Sequence, residues 1–237
     1  MDRDTDRFIS AFNSIEQHLR QLVGAAEHRT FSDMLHEAGH GNALVHRLSS
    51  DLRQLAELRN FIVHRYREHA PLALPSELSL QKIERIRDAL LKPATLHSLF
   101  HKVVYCCRPS DPIGAVAQTM HQHDVRQLPV YEEQTCVGLL TAQTLTRWLA
   151  ARLATGVGLV EEESVANILQ YQSDPNQHEF ADHRATVTDA FNRLEKHFHA
   201  GRPLRAIILT PHGRPSEMPT GIVTAGNIAV LLKAVGL

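Results

Sequence analysis

The spacing of apolar residues changes at Pro93, and that change decides what this chain can fold into. Before it, apolar side chains return at three- and four-residue steps, as an amphipathic helix requires; after it, they come in short runs separated by turn residues. One layer of structure cannot serve both periods, so the sequence predicts a helical part over residues 1–92 and a mixed part over 93–237, an α+β chain. In the helical part Phe8, Ile9, Phe12, Ile15, Leu19, Leu22 and Val23 make one stripe, ending at Gly24. A short second helix is expected from Asp33 to Ala38, capped by Thr30 or Ser32 and broken by Gly39 and Gly41. The long third runs from about Asn42 to His69 on Leu48, Leu52, Leu55, Leu58 and Ile62. The last starts near Ser79 and carries Ile83, Ile86, Leu90 and Leu91. Short connections between one-sided helices imply an antiparallel bundle. A core this thin is completed by a second copy, so a homodimer is expected.

Beyond Pro93 the order of elements repeats. His101 to Cys106 reads as a strand, Ile113 to Gln122 as a helix, Gln127 to Tyr131 and Cys136 to Leu140 as paired strands, and Thr144 to Leu153 as a closing helix. The second round is His183 to Val187, a helix from Thr188 to His199, strands at Leu204 to Leu209 and Thr220 to Val223, and a helix from Asn227 to Ala234. An internal duplication accounts for this, with halves at about 97–155 and 160–237. The segment Pro211 to Pro219 interrupts the second round as a proline-punctuated hairpin loop, expected to be exposed. Only Pro93 to Ser98 joins the two parts, so little slack separates them.

Composition narrows the functional classes. The 237 residues are 43% hydrophobic and 22% charged, with a net charge of −1, so bulk electrostatics give no support to stable nucleic-acid binding and any RNA contact must be local. The apolar runs are too short to span a bilayer, and the charged opening Met1-Asp2-Arg3-Asp4 is unlike a secretory signal; a cytoplasmic location without membrane attachment is expected. Three cysteines, two of them adjacent, fit neither a disulfide framework nor a metal site. His36-Glu37-Ala38-Gly39-His40, with His46 beyond, has the spacing of a zinc-protease helix. Ala43 stands where the chain needs a turning glycine, Gly39 and Gly41 weaken the helix, and no strands precede it, so no metal is expected.

The densest chemistry lies in Leu58-Arg59-Asn60-Phe61-Ile62-Val63-His64-Arg65-Tyr66. On a helix Asn60 and His64 share a face, with Arg59 about 140° from His64. Arginines around one histidine suit a phosphodiester, offering planar donors and a group that moves protons. Arg59-Asn60, with His64 a few residues on, resembles the motif of HEPN domains, and Tyr66 narrows the likeness to the HepT-like branch, covering about residues 5 to 91. The resemblance implies a dimeric endoribonuclease needing no metal or other cofactor. His64 would act in acid–base attack by the ribose 2′-hydroxyl, and Arg59 would stabilise the phosphorane. In that branch the tyrosine is adenylylated by a nucleotidyltransferase antitoxin, so the resemblance implies that Tyr66 would be a regulatory site.

The duplicated half resembles a pair of CBS domains, a Bateman module, over about residues 97 to 237. Leu128-Pro129-Val130 and the segments Gly138-Leu139-Leu140-Thr141-Ala142-Gln143-Thr144 and Gly221-Ile222-Val223-Thr224-Ala225-Gly226-Asn227 carry the likeness. In that family the threonine contacts phosphate and an aspartate three residues later holds the ribose of an adenine nucleotide. Here Thr144 and Asn227 stand at the aspartate position. Asn227 keeps the length and one acceptor oxygen, so Thr224 and Asn227 form the better site, ahead of Thr141 and Thr144. Two readings stay open: a nucleotide-regulated HEPN ribonuclease, and a ligand-sensing regulatory or scaffold protein whose bundle only dimerises.

Overall fold

The structure is a computed structural model that describes residues 3–24, 29–64, 66–67, 70–71, 73–156 and 161–236. These residues are a mixture of helix and sheet, in two compact units. The first comprises Met1–Ala94, Thr186–Glu195 and Ala229–Leu237; the second comprises Thr95–Ala185 and Lys196–Ile228.

In the first unit the predicted stripe makes α1 (Arg3–Val23), which buries Phe8, Phe12, Ile15 and Leu19. Thr30 caps α2 (Phe31–Gly41) by accepting from the Asp33 amide at 3.2 Å. This helix continues through Gly39, where a break was expected. A Cβ there would stand 3.6 Å from the Cα of His46, so the bare glycine lies where the neighbouring helix comes close. α3 (Ala43–His64) buries Leu44, Leu48, Leu52, Leu55 and Ile62. It stops five residues short of the predicted His69. There β1 (Tyr66–Arg67) pairs antiparallel with β2 (Ala70–Pro71), because Pro71 has no amide for a helix and keeps its predecessor extended. Ser76 caps α4 (Glu77–Leu91), which packs mainly on α1, as α2 does on α3. The Arg7 guanidinium forks onto Glu84, at 2.9 and 3.2 Å to Oε1. This unit also holds the first turns of α9 (Val187–His199), where Asn192 Oδ1 accepts from the Ala43 amide at 2.7 Å and Phe191 lies 4.9 Å below the Arg47 guanidinium.

The second unit contains α5 (Leu96–Phe100), α6 (Ile113–Gln122), β3 (Gln127–Glu132), β4 (Thr135–Thr141), α7 (Ala142–Ala154), α8 (Val165–Leu169), β5 (His178–Ala181), β6 (Ala206–Leu209) and β7 (Gly221–Thr224). A 3-10 turn (Ala225–Asn227) leads into α10 (Ile228–Ala234). β3 and β4 form an antiparallel hairpin; β5 runs parallel to β6, which pairs antiparallel with β7. Cys107 makes a parallel bridge to Val130, the counterpart of β5 beside β6 shrunk to a single residue. So helix, hairpin and helix follow a parallel neighbour twice, as the duplication requires.

The strand expected over His101 to Cys106 does not form. Its β-prone residues find partners only at the two ends, His101 with Gly221 and Cys107 with Val130, and Val103 between them is 82% exposed. The strand expected from His183 lies earlier, as β5, because the Asp182 carboxylate accepts from the Arg184 and Ala185 amides and turns the chain. One core gathers Val130, Leu140, Met120, Trp148 and Ile168; the other face of β4 places Leu139 against Ala206 and Ile208. The short helices exchange places. α8 packs on β4 of the first hairpin and α5 on β7 of the second. A Cβ on Gly138 would meet Leu169 Cδ1 at 3.3 Å, and one on Gly221 would meet the Phe100 carbonyl at 2.4 Å. The glycine that opens both repeated segments is what lets a helix lie across the strand.

Candidate ligand cleft

The turns that follow β4 and β7 open onto one cleft of about 550 Å³ in the second unit. Thr141, Ala142 and Gln143 line one part, and Thr224, Ala225, Gly226 and Asn227 another. Lys102, Asp124, Arg126 and Arg205 supply its charge. Gln143 Oε1 accepts from Arg205 Nη2 at 2.8 Å, and the Arg126 carbonyl accepts from the Ala142 amide at 2.9 Å. None of the described ion pairs engages these four charged side chains.

Each repeated turn is a helix cap before it is anything else. Thr141 Oγ1 accepts from the Thr144 amide at 3.1 Å and shares a 2.9 Å hydrogen bond with the Thr144 hydroxyl, and both threonines are buried. At the second turn Asn227 Oδ1 accepts from the Thr224 amide at 2.8 Å and from its hydroxyl at 3.2 Å, a reciprocal capping box. The single oxygen of Asn227, expected to face a ribose, is thus committed to its own turn. Thr141, Thr224 and Asn227 line the cleft, whereas Thr144 does not. Leu128, Pro129 and Val130 are buried in β3, opposite Leu140, Leu139 and Gly138; of that strand, Gln127 reaches the cleft. Sequence reasoning missed Lys102, Asp124, Arg126 and Arg205, which lie outside the repeated segments. The signal available was charge at the strand entrances, one residue before β3 and β6.

Arg59 and Asn60 lie on α3, with Arg59 Nη1 donating to Asn60 Oδ1 at 3.4 Å and the guanidinium 5.9 Å from the Phe12 ring centre. Asn60 is exposed. His64 ends α3 and Tyr66 begins β1; the side chains of both, and Arg65 entirely, lie outside the described residues. The cysteines are free. Burial pushes the Cys106 thiol up to about 11 and Cys107 to about 12, so neither is a nucleophile near neutrality.

Residues 97–151 match the protein-family model described as CBS domain. Over those residues the chain is similar to a CBS domain. No curated protein matches the chain. Among solved structures, it is similar to the CBS-domain containing protein from Agrobacterium tumefaciens, at 22% identity over 54% of this chain and 88% of that one, TM-score 0.40. It is similar to the CBS domain of a CBS-domain containing membrane protein from Sphaerobacter thermophilus, at 18% identity over 64% and 94%, TM-score 0.46. A third is the CBS domain pair of protein MJ0100 in complex with 5′-methylthioadenosine and S-adenosyl-L-methionine, at 18% identity over 60% and 97%, TM-score 0.44. No helix among the described residues is long and apolar enough to cross a membrane. No group of three or more metal-binding side chains occurs among them.

Proposed function

We propose that this is a ligand-sensing regulatory protein, in which a CBS pair over residues 93–237 binds an adenine nucleotide and a helical domain over 1–92 dimerises and carries the response. The observation that carries this reading is the cleft where the capping turns of both repeats meet Lys102, Arg126 and Arg205. Its volume suits a nucleotide, and three cations with one carboxylate suit phosphate. A homodimer would also cover an apolar groove of about 280 Å³ outside that helical domain, between α6 and α7, lined by Ile113, Ala117, Leu145 and Leu149. Further along α7, Leu153 is 68% exposed. Calorimetry with AMP, ADP, ATP and S-adenosylmethionine tests the ligand: at least one binds below millimolar concentration, and failure of all four removes the reading. Light scattering at micromolar concentration tests the dimer, which a monomer mass would refute.

A second reading keeps the ribonuclease. It is favoured by α3 continuing unbroken from Ala43 to His64, which keeps Asn60 and His64 one helical turn apart on a common face. Arg59 then steadies the phosphorane, His64 moves the proton, and a nucleotidyltransferase partner modifies Tyr66. The expected product is RNA cleaved in EDTA with 2′,3′-cyclic phosphate ends; equal cleavage by His64→Ala removes this reading.

A further inference from the structure

The cleft differs from a general nucleoside site in where its acceptors and donors lie. Three cations, Lys102, Arg126 and Arg205, face one carboxylate, Asp124, a local excess of two positive charges. Arg205 is oriented by Gln143, a neutral amide, so its fork is held in place while its charge stays uncancelled. The oxygen of Asn227 that could accept a sugar hydroxyl already takes two hydrogen bonds from Thr224. What that side chain still offers is its amide N–H, another donor. Donors therefore outnumber acceptors around a space large enough for a nucleotide.

We infer that the cleft selects its ligand by phosphate charge, taking nucleoside polyphosphates through Lys102, Arg126 and Arg205 and discriminating against nucleosides and thioether nucleosides. This rests on the reading of the cleft as the ligand site. Each added phosphate brings charge-assisted hydrogen bonds in a place that already carries excess positive charge, so affinity climbs from AMP to ADP to ATP. Asp124 works in the opposite direction, repelling the added charge.

The test is calorimetry on the full chain in EDTA with AMP, ADP, ATP, S-adenosylmethionine and inorganic tripolyphosphate. The expected result is a Kd at least roughly tenfold lower for ATP than for AMP, as one charge-assisted hydrogen bond provides, with S-adenosylmethionine weakest. Tripolyphosphate competes with ATP. Arg205→Gln and Lys102→Gln each weaken ATP more than AMP and so flatten the climb, and Asp124→Asn steepens it. Equal affinity for AMP, S-adenosylmethionine and ATP in the parent protein overturns selection by charge and leaves the nucleotide reading standing. Binding of tripolyphosphate with no preference for ATP over it supports the charge selection and overturns the adenine assignment. Because the series is run first on the parent protein, the outcome does not depend on how the variants fold.

Discussion

Thr141 and Thr224 occupy the same point of the two repeats, and each closes a turn with the residue three positions on. The sequence marks the threonine-containing segment as a candidate ligand contact, and part of it lines the cleft. Its first duty was not legible, because a capping box and a phosphate-and-ribose clamp use the same side chains at the same spacing. Thr141→Ala removes the acceptor of the Thr144 amide and leaves a buried hydroxyl without its partner. The expected cost is about 1–2 kcal/mol, read from denaturant midpoints, with Thr141→Ser recovering most of it. The cysteines give a pH dependence. Burial raises the folded-state pKa from 9.0 to about 11 for Cys106 and to about 12 for Cys107, so the folded state resists losing these protons more than the unfolded chain does. Their contribution to stability is full below pH 9 and is lost as pH rises from 9 towards 11–12. Unfolding curves collected across that range should fall in the parent and fall less in a Cys106→Ala, Cys107→Ala variant.

Among elements, the hairpins and long helices were readable because each keeps one period for long enough. α5 and α8 were not: each has five residues, too few to show a helical stripe. Their N-caps, Thr95 and Ser164, were the available cue. The mistaken strand at 101–106 shows the complementary limit, since side chains that favour a pleated surface do not supply a neighbour to pair with. The crossing of these short helices over the strands makes a graded prediction. Gly221→Ala drives a methyl into the Phe100 carbonyl, a backbone atom that cannot move alone, and should cost about 3 kcal/mol or more. Gly138→Ala meets only the end of the Leu169 side chain, which can rotate, and should cost about 1 kcal/mol. Thermal unfolding of the two variants checks the order.

For the whole molecule, the change of period at Pro93 was sufficient to anticipate an α+β chain, and the described residues are a mixture of helix and sheet. What stayed hidden depends on contacts between distant residues: the charged rim of the cleft, and the fastening of the insertion at 211–219. That segment was expected to be an exposed hairpin loop, and none of its residues is buried. Yet the Pro215 carbonyl accepts from the Cys136 amide at 2.8 Å, on the outer edge of β4, and the Glu217 carbonyl accepts from the Tyr131 hydroxyl at 2.9 Å. Tyr131→Phe should loosen it by about 1 kcal/mol, seen as faster hydrogen exchange at the Cys136 amide. The fastening also sets a clock during synthesis. The β3–β4 hairpin can close within about 1–10 μs of leaving the ribosome, but Pro215 follows roughly 80 residues later, a wait of about 4–16 s at ordinary translation rates. For those seconds the nascent chain presents an open strand edge that a chaperone, or the same edge on a neighbouring nascent chain, can occupy first.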